Sequence, residues 1–228
     1  MSKLEVVETV TSAVEDYAKA IYALETRDDA AVSTTALAER LHVTAASASS
    51  MVKKLAEMGL VTHEPYRGVR LTPEGVKVAL EVLRHHRLLE VYLAEELGVP
   101  WDRVHDEAEV LEHVLSEELE ELIAAKLGHP TRDPHGDPIP TADGRIEEAP
   151  TTALHDLDAG ARGLFVRVSD SDPEMLRYLA ARGIAPGDRF EVVEKQPFEG
   201  PLFARFGGEV HVLGGALAMA MRVEVDAP

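Results

Sequence analysis

The chain has 228 residues, 45% of them hydrophobic, and a formal net charge of −18. That is enough apolar material for one large domain or two to three small ones. There is no cysteine, which excludes disulfides, zinc ribbons, iron–sulfur clusters and a cysteine nucleophile. No apolar run approaches the roughly 18 residues of a membrane span, and the first ten residues lack a signal-peptide core. A soluble, cytoplasmic protein with no membrane partner is expected, and the acidity argues against indiscriminate binding to nucleic acid while leaving room for a local basic surface.

Residues 5–27 predict a first helix, with Tyr17, Ala20, Ile21 and Leu24 as its apolar stripe and Asp16 on the border of that stripe. Taken alone, Asp16 reads as an ordinary surface carboxylate. Residues 33–62 carry helix–turn–helix spacing. Ser33 or Thr34 can cap a helix with Leu37, Ala38 and Leu41 inward. A short break at His42–Thr44 follows, and Thr44 caps a second helix with Ala48, Met51, Val52, Leu55 and Met58 inward, ended by Gly59. Small and hydroxyl side chains at the start of this second helix allow close approach to a major groove. A hairpin pattern then reads as a wing, with Tyr66 and Arg67 at its turn and Arg70 on its second strand. Between residues 40 and 70, five basic residues face two acidic ones, a window of +3 in a chain of −18. The expected contacts to double-stranded DNA are Thr44, Ala46, Ser47, Ser50, Lys53, Tyr66, Arg67 and Arg70.

Residues 74–97 predict a long helix bearing His85, His86 and Glu90, of which His86 and Glu90 are i, i+4 and share a face. The stretch His105–His113 reads HDEAEVLEH, with His105, Glu109, Glu112 and His113 at offsets 0, 4, 7 and 8. On a continuous helix these four fall on one side, a donor set suited to a divalent cation. Residues 101–125 hold nine acidic residues against one arginine, a dense negative potential unless cations sit in it. Residues 128–160 are rich in Pro, Gly and Asp without hydrophobic period and read as a linker, with His129, Asp133, His135 and Asp137 as turn chemistry. From 163 to 225, short alternating segments separated by Gly and Pro turns, with one helix at 172–183, predict a small β-barrel.

The order of these elements, winged helix, helical pair with HHRLLE and HDEAEVLEH, the loop PHGDPIP and a barrel with PGDRFEV, resembles the diphtheria toxin repressor family of metal-dependent transcriptional repressors over essentially the whole chain. The resemblance implies an α+β multidomain fold. Its parts would be a winged helix-turn-helix domain over 1–75, a helical metal-binding and dimerisation domain over 76–145, a linker over 146–162 and an SH3-like domain over 163–228. It implies a homodimer on operator DNA, with one or two dimers per operator left open, and no small-molecule substrate. It also implies two metal sites per subunit. The primary site would be Asp16, Glu109, Glu112 and His113. The secondary site would be His86, Glu90 and His105 with a barrel carboxylate, Asp172 or alternatively Asp170. Iron-sensing members of the family carry methionine and cysteine where this chain has Asp16 and Glu109, and the manganese members resemble this chain. Mn²⁺ is therefore the expected ion, with Fe²⁺, Co²⁺ or others able to substitute in vitro. Short manganese regulators place a glutamate where this chain has Lys19, so separated sites are expected rather than a paired two-manganese centre. The competing readings are an iron-responsive repressor of the same family and a metal-independent winged-helix regulator. A metalloenzyme is disfavoured, because no nucleophile or Gly-rich substrate loop is evident and the winged helix would be unexplained.

Overall fold

The structure is a computed structural model that describes residues 10–64, 67–147, 149–198 and 200–226. It divides into two compact units. The first comprises the chain through His85 with residues 112–115 and 140–145, and the second comprises 86–111, 116–139 and 146 onward.

The first unit begins with helix α1 (Ser12–Asp28); the part of the expected helix before residue 10 lies outside the described residues. Helix α2 (Thr34–Arg40) is capped by Ser33, whose hydroxyl accepts from the Ala36 N–H, and helix α3 (Ala45–Glu57) by Thr44, which accepts from the Ser47 N–H. Each cap satisfies a donor that the first helical turn would leave unpaired. Between them His42 adopts a left-handed conformation, φ 52°, and the Val43 N–H returns to the Ala38 carbonyl. That is the tight stop which turns one helix into the next. Strands β1 (Val61–Glu64) and β2 (Gly68–Leu71) pair antiparallel, Val61 opposite Leu71. Val14, Tyr17, Ile21 and Leu24 of α1 join Leu37, Val52, Leu55, Val61 and Val69 in one buried cluster. The helix–turn–helix, the wing and α1 therefore share a core.

Helix α4 (Pro73–Glu95) is continuous across the point at which the units divide. In the second unit helix α5 (Val104–Leu111) and helix α6 (Glu117–Lys126) precede a six-stranded antiparallel sheet of order β3-β8-β4-β5-β6-β7. Its strands are β3 (Thr152–Ala153), β4 (Arg162–Val168), β5 (Arg189–Lys195), β6 (Leu202–Phe206), β7 (Glu209–Leu213) and β8 (Met221–Val225). Helix α7 (Pro173–Ala180) and helix α8 (Gly215–Ala220) complete it. Register shifts between Phe165 and Arg167 and between Val192 and Glu194 bend the sheet around Phe165, Leu176, Phe190, Phe206 and Met221.

The stretch expected to be a linker is only partly one. Residues 131–139 form a packed turn: Asp133 Oδ1 accepts from the N–H groups of His135 and Asp137, and Arg132 bridges Pro138. Gly136, at φ 90°, lies so close to β4 that a Cβ would stand 1.9 Å from the Val166 carbonyl. Only glycine permits that approach, and the Val168 N–H then bonds the His135 carbonyl. Pro and Gly read as solvated loop; here they shape a turn whose carboxylate and imidazole are buried. Strand β3 and Leu154, also inside the expected linker, belong to the β domain.

Candidate metal centres and nucleic-acid interface

Three clusters of carboxylates and imidazoles are evident among the described residues. The first lies wholly in the first unit. A 3-10 turn, Glu112–Val114, brings Glu112 and His113 to Asp16 of α1. His113 Nδ1 is 2.6 Å from Glu15 Oε2, and its Nε2 is 3.0 Å from Asp16 Oδ1 and 3.5 Å from Glu112 Oε1. Both ring nitrogens thus meet carboxylates, and with an ion among Asp16, Glu112 and Nε2 the N–H would stay on Nδ1 against Glu15. An outer carboxylate that orients an imidazole in this way is the usual support of a metal ligand. Glu112 is 1% exposed, and Lys19 places its ammonium 2.6 Å from Glu112 Oε1. The buried carboxylate thus already draws a positive charge, and Asp16, Glu112 and His113 together offer the oxygen and nitrogen atoms that could hold a divalent ion. His85 is buried, and its Nδ1 lies 3.2 Å from the Glu112 carbonyl, holding the 3-10 turn to α4. Glu15 was not singled out by the sequence; lying one residue before Asp16, it had only its charge to mark it.

The second cluster belongs to the second unit. His86 Nε2 is 3.1 Å from both Glu90 Oε1 and His105 Nδ1, and His105 Nδ1 is 3.0 Å from Asp170 Oδ2. Hydrogen bonding to Asp170 and then Glu90 raises His105 to about 10. Burial pushes Glu90 up, but the surrounding histidines His105, His135 and His86 outweigh it and hold the carboxyl well below the usual range. Of the two barrel carboxylates considered, Asp170 meets His105, whereas Asp172 caps α7 by accepting from the Glu174 N–H. Glu109 also stands here, its Oε1 3.8 Å from His86 Nδ1 and from His105 Nε2. The structure thus brings together three of the four residues expected at the primary site and puts the fourth beside the secondary one.

The third cluster is Glu90, Asp133 and His135, all buried. Burial, then the charges of Glu90 and Asp137, push the Asp133 carboxyl up to about 8. For His135, burial is outweighed by Glu90 and Asp133, and the ring is raised to about 9.

At the winged helix, Thr44, Ala46, Ser47, Ser50 and Lys53 are all exposed on α3. Thr44 and Ser47 hydroxyls are 2.9 Å apart. Arg67 is exposed and pairs with Glu64 at 3.2 Å, and Arg70 pairs with Glu25 at 3.3 Å. Tyr66 lies outside the described residues. The exposed hydroxyls and Lys53 at one helix, with two arginines on the adjoining hairpin, make a surface that can contact phosphates and groove edges together.

Known proteins resemble the chain throughout. Residues 9–69 match the iron dependent repressor N-terminal DNA binding domain, residues 72–141 the iron dependent repressor metal binding and dimerisation domain, and residues 152–225 the FeoA domain. The diphtheria toxin repressor of Corynebacterium efficiens is 34% identical over 221 residues, covering 92% of this chain and 94% of that protein. The iron-dependent repressor IdeR of Mycobacterium leprae is 32% identical over 92% of this chain and 96% of its own. Among solved structures, a manganese-dependent transcriptional repressor in complex with manganese superimposes with a TM-score of 0.86 at 45% identity, over 93% of this chain and 99% of that one.

Proposed function

The chain belongs to the diphtheria toxin repressor family of metal-dependent DNA-binding repressors, and from that premise we propose that it is a manganese-responsive homodimeric repressor. Its operator affinity would be set at the Asp16–Glu112–His113 cluster and reinforced at the His86–Glu90–His105–Asp170 cluster. The observation that carries this reading is the convergence of Asp16, on a helix packed into the winged-helix core, with Glu112 and His113, which directly follow α5 in the chain.

A bound divalent ion supplies positive charge that turns mutual repulsion among these carboxylates into attraction. The residues do the rest. Glu15 aims His113 Nε2 at Asp16, and His85 holds the turn that presents Glu112. Asp16 is carried by α1, whose Val14, Tyr17 and Ile21 pack with Val52 and Leu55 of α3. Fixing Asp16 therefore limits where the DNA-facing helix can stand, and operator binding by a dimer needs two such helices at a fixed spacing. Two divalent ions per chain would change the net charge only from −18 to −14. With screening over about 8 Å, local geometry and not global charge is the switch.

Manganese follows from the ligand chemistry. Asp16, Glu112 and His113 offer oxygen and one nitrogen and no sulfur, a set that suits Mn²⁺, the weakest binder of the first-row series, through charge instead of directional bonding. Iron responsiveness, as in the name of the mycobacterial relative, is the competing reading. Dimerisation is favoured by the exposed Leu119 and Leu122 of α6. The test is anaerobic binding to DNA that the protein selects from a random pool, titrated with Mn²⁺. Retention should appear with the metal and vanish with a chelator.

A further inference from the structure

We propose that Glu25 is a positioning residue for DNA binding: its carboxylate ties the wing to the helix that carries Asp16 and aims Arg70 at a backbone phosphate. Glu25 lies near the end of α1, about 14 Å along the helix from Asp16. Its side chain is 18% exposed and meets the second strand of the wing with both oxygens. Oε2 accepts from the Leu71 N–H at 3.0 Å, and Oε1 accepts from Arg70 Nη1 at 3.3 Å. The backbone explains why a carboxylate belongs there. One edge of β2 pairs with β1. On the other edge Val69 exchanges two hydrogen bonds, of 2.8 and 2.9 Å, with Val32, which follows α1. Leu71, two residues on, presents its N–H along that same edge. There Glu25 Oε2 takes the place of a backbone carbonyl.

The second contact bears on DNA. A guanidinium carries five N–H donors in a rigid fork, and Glu25 engages one nitrogen of Arg70, leaving donors for a phosphate. A long side chain loses rotamer freedom when it binds, and one already held in place loses less. A carboxylate also repels phosphate, so its depth decides which effect wins. Glu25 is mostly buried while Arg70 is half-exposed, which sets the cation on the solvent side of the pair. Arg67 makes the contrast: its partner Glu64 is itself exposed, so that pair is two solvated side chains at the surface. Glu25 and Asp16 share α1, so whatever fixes Asp16 also fixes the anchor of the wing. The response to metal then reaches α3 through the shared core and Arg70 through Glu25. The proposal deepens the repressor reading and rests on Arg70 as a DNA contact.

The test is a double-mutant cycle on the full-length, Mn²⁺-saturated protein, with affinity and its salt dependence measured on DNA selected from a random pool. Arg70→Ala should weaken binding about threefold and lower the salt slope by about one. Glu25→Gln separates the two contacts of Glu25. Its amide oxygen still accepts from the Leu71 N–H, and its NH₂ group cannot accept from Arg70, so the wing stays tied while the arginine is released. Glu25→Gln should therefore show the same loss of affinity and slope as Arg70→Ala, and the double variant no further loss. A carboxylate with a structural role only would leave the Arg70→Ala loss undiminished in the Glu25→Gln background. An inhibitory one would make Glu25→Gln bind more tightly, with a steeper salt slope. Either result overturns the proposal. Arg70→Ala with wild-type affinity and slope overturns it by a different route, removing Arg70 from the DNA surface, while Mn²⁺-dependent retention of the wild type would still support the repressor reading.

Discussion

The cluster on α1 and the clusters around Glu90 are built from the same residue types under opposite constraints. At the first, Asp16 and Glu15 remain 39% and 23% exposed in their side chains, and a lysine from the same helix is drawn onto the buried Glu112. At the second, Glu90 is 1% exposed and three histidines crowd its carboxylate. The first is an open joint whose charge is provisionally balanced by a flexible side chain. The second is a pre-formed pocket whose donors already touch one another. On the proposed reading, the first cluster would be the one that responds to metal and the second the one that keeps its surroundings in order.

The most severe way to break the comparison is His113→Ala, which removes the nitrogen at the open joint. It should raise the Mn²⁺ needed for half-maximal operator binding by on the order of 100-fold or more, beyond what loss of an outer partner costs. His86→Ala should weaken the same response by about tenfold without abolishing it, because the pocket braces and does not hold α1. If the two variants are equally inactive in fluorescence-anisotropy titrations, the roles of the two clusters are reversed. Lys19→Met sharpens the contrast. Without the ammonium, Mn²⁺ no longer competes with Lys19 for Glu112, and half-activation should move to about fivefold lower metal, equivalent to roughly 1 kcal/mol. The metal-free protein should meanwhile lose roughly 1–3 kcal/mol of stability in urea unfolding, since a buried carboxylate has lost its ammonium. Unchanged metal response would show that Lys19 is only a structural pair. The smallest effect is expected at the wing. Arg67→Ala should weaken binding about threefold on every DNA sequence and lower the salt slope by about one, as for a lost phosphate contact.

How much of this was legible depends on how local the signal was. The caps at Ser33 and Thr44, the apolar stripes of α1 and α3 and the i, i+4 pair His86–Glu90 are set within one or two turns of chain, so periodicity exposes them. The His105–His113 stretch was harder. A continuous helix carries its phase at 3.6 residues per turn, but the chain tightens into a 3-10 turn at Glu112. With about three residues per turn the phase advances differently, and Glu112 and His113 join Asp16 while Glu109 stays beside His105. The Pro, Gly and Asp content of the turn at 131–139 predicts a solvated loop. Those residues do make a turn, through the Asp133 bonds, but its burial depends on Gly136 meeting the Val166 backbone, a contact between distant parts of the chain that composition does not carry. Asp170 rather than Asp172 meets His105 because Asp172 is engaged as a helix cap, which the Asp-Pro sequence at the start of α7 does signal.

On the proposed reading, oxygen-rich donors at the Asp16–Glu112–His113 cluster make this repressor answer to manganese. The most direct measurement is anaerobic operator binding titrated with Mn²⁺ and with Fe²⁺, for the wild type and for Asp16→Met, which exchanges one anionic oxygen ligand for a neutral sulfur. The wild type is expected to be activated by Mn²⁺ at least as well as by Fe²⁺, and Asp16→Met to lose most of its Mn²⁺ response while retaining more of its response to Fe²⁺. A wild type that responds to Fe²⁺ and ignores Mn²⁺, or a variant that keeps the wild-type order of metals, would contradict the account.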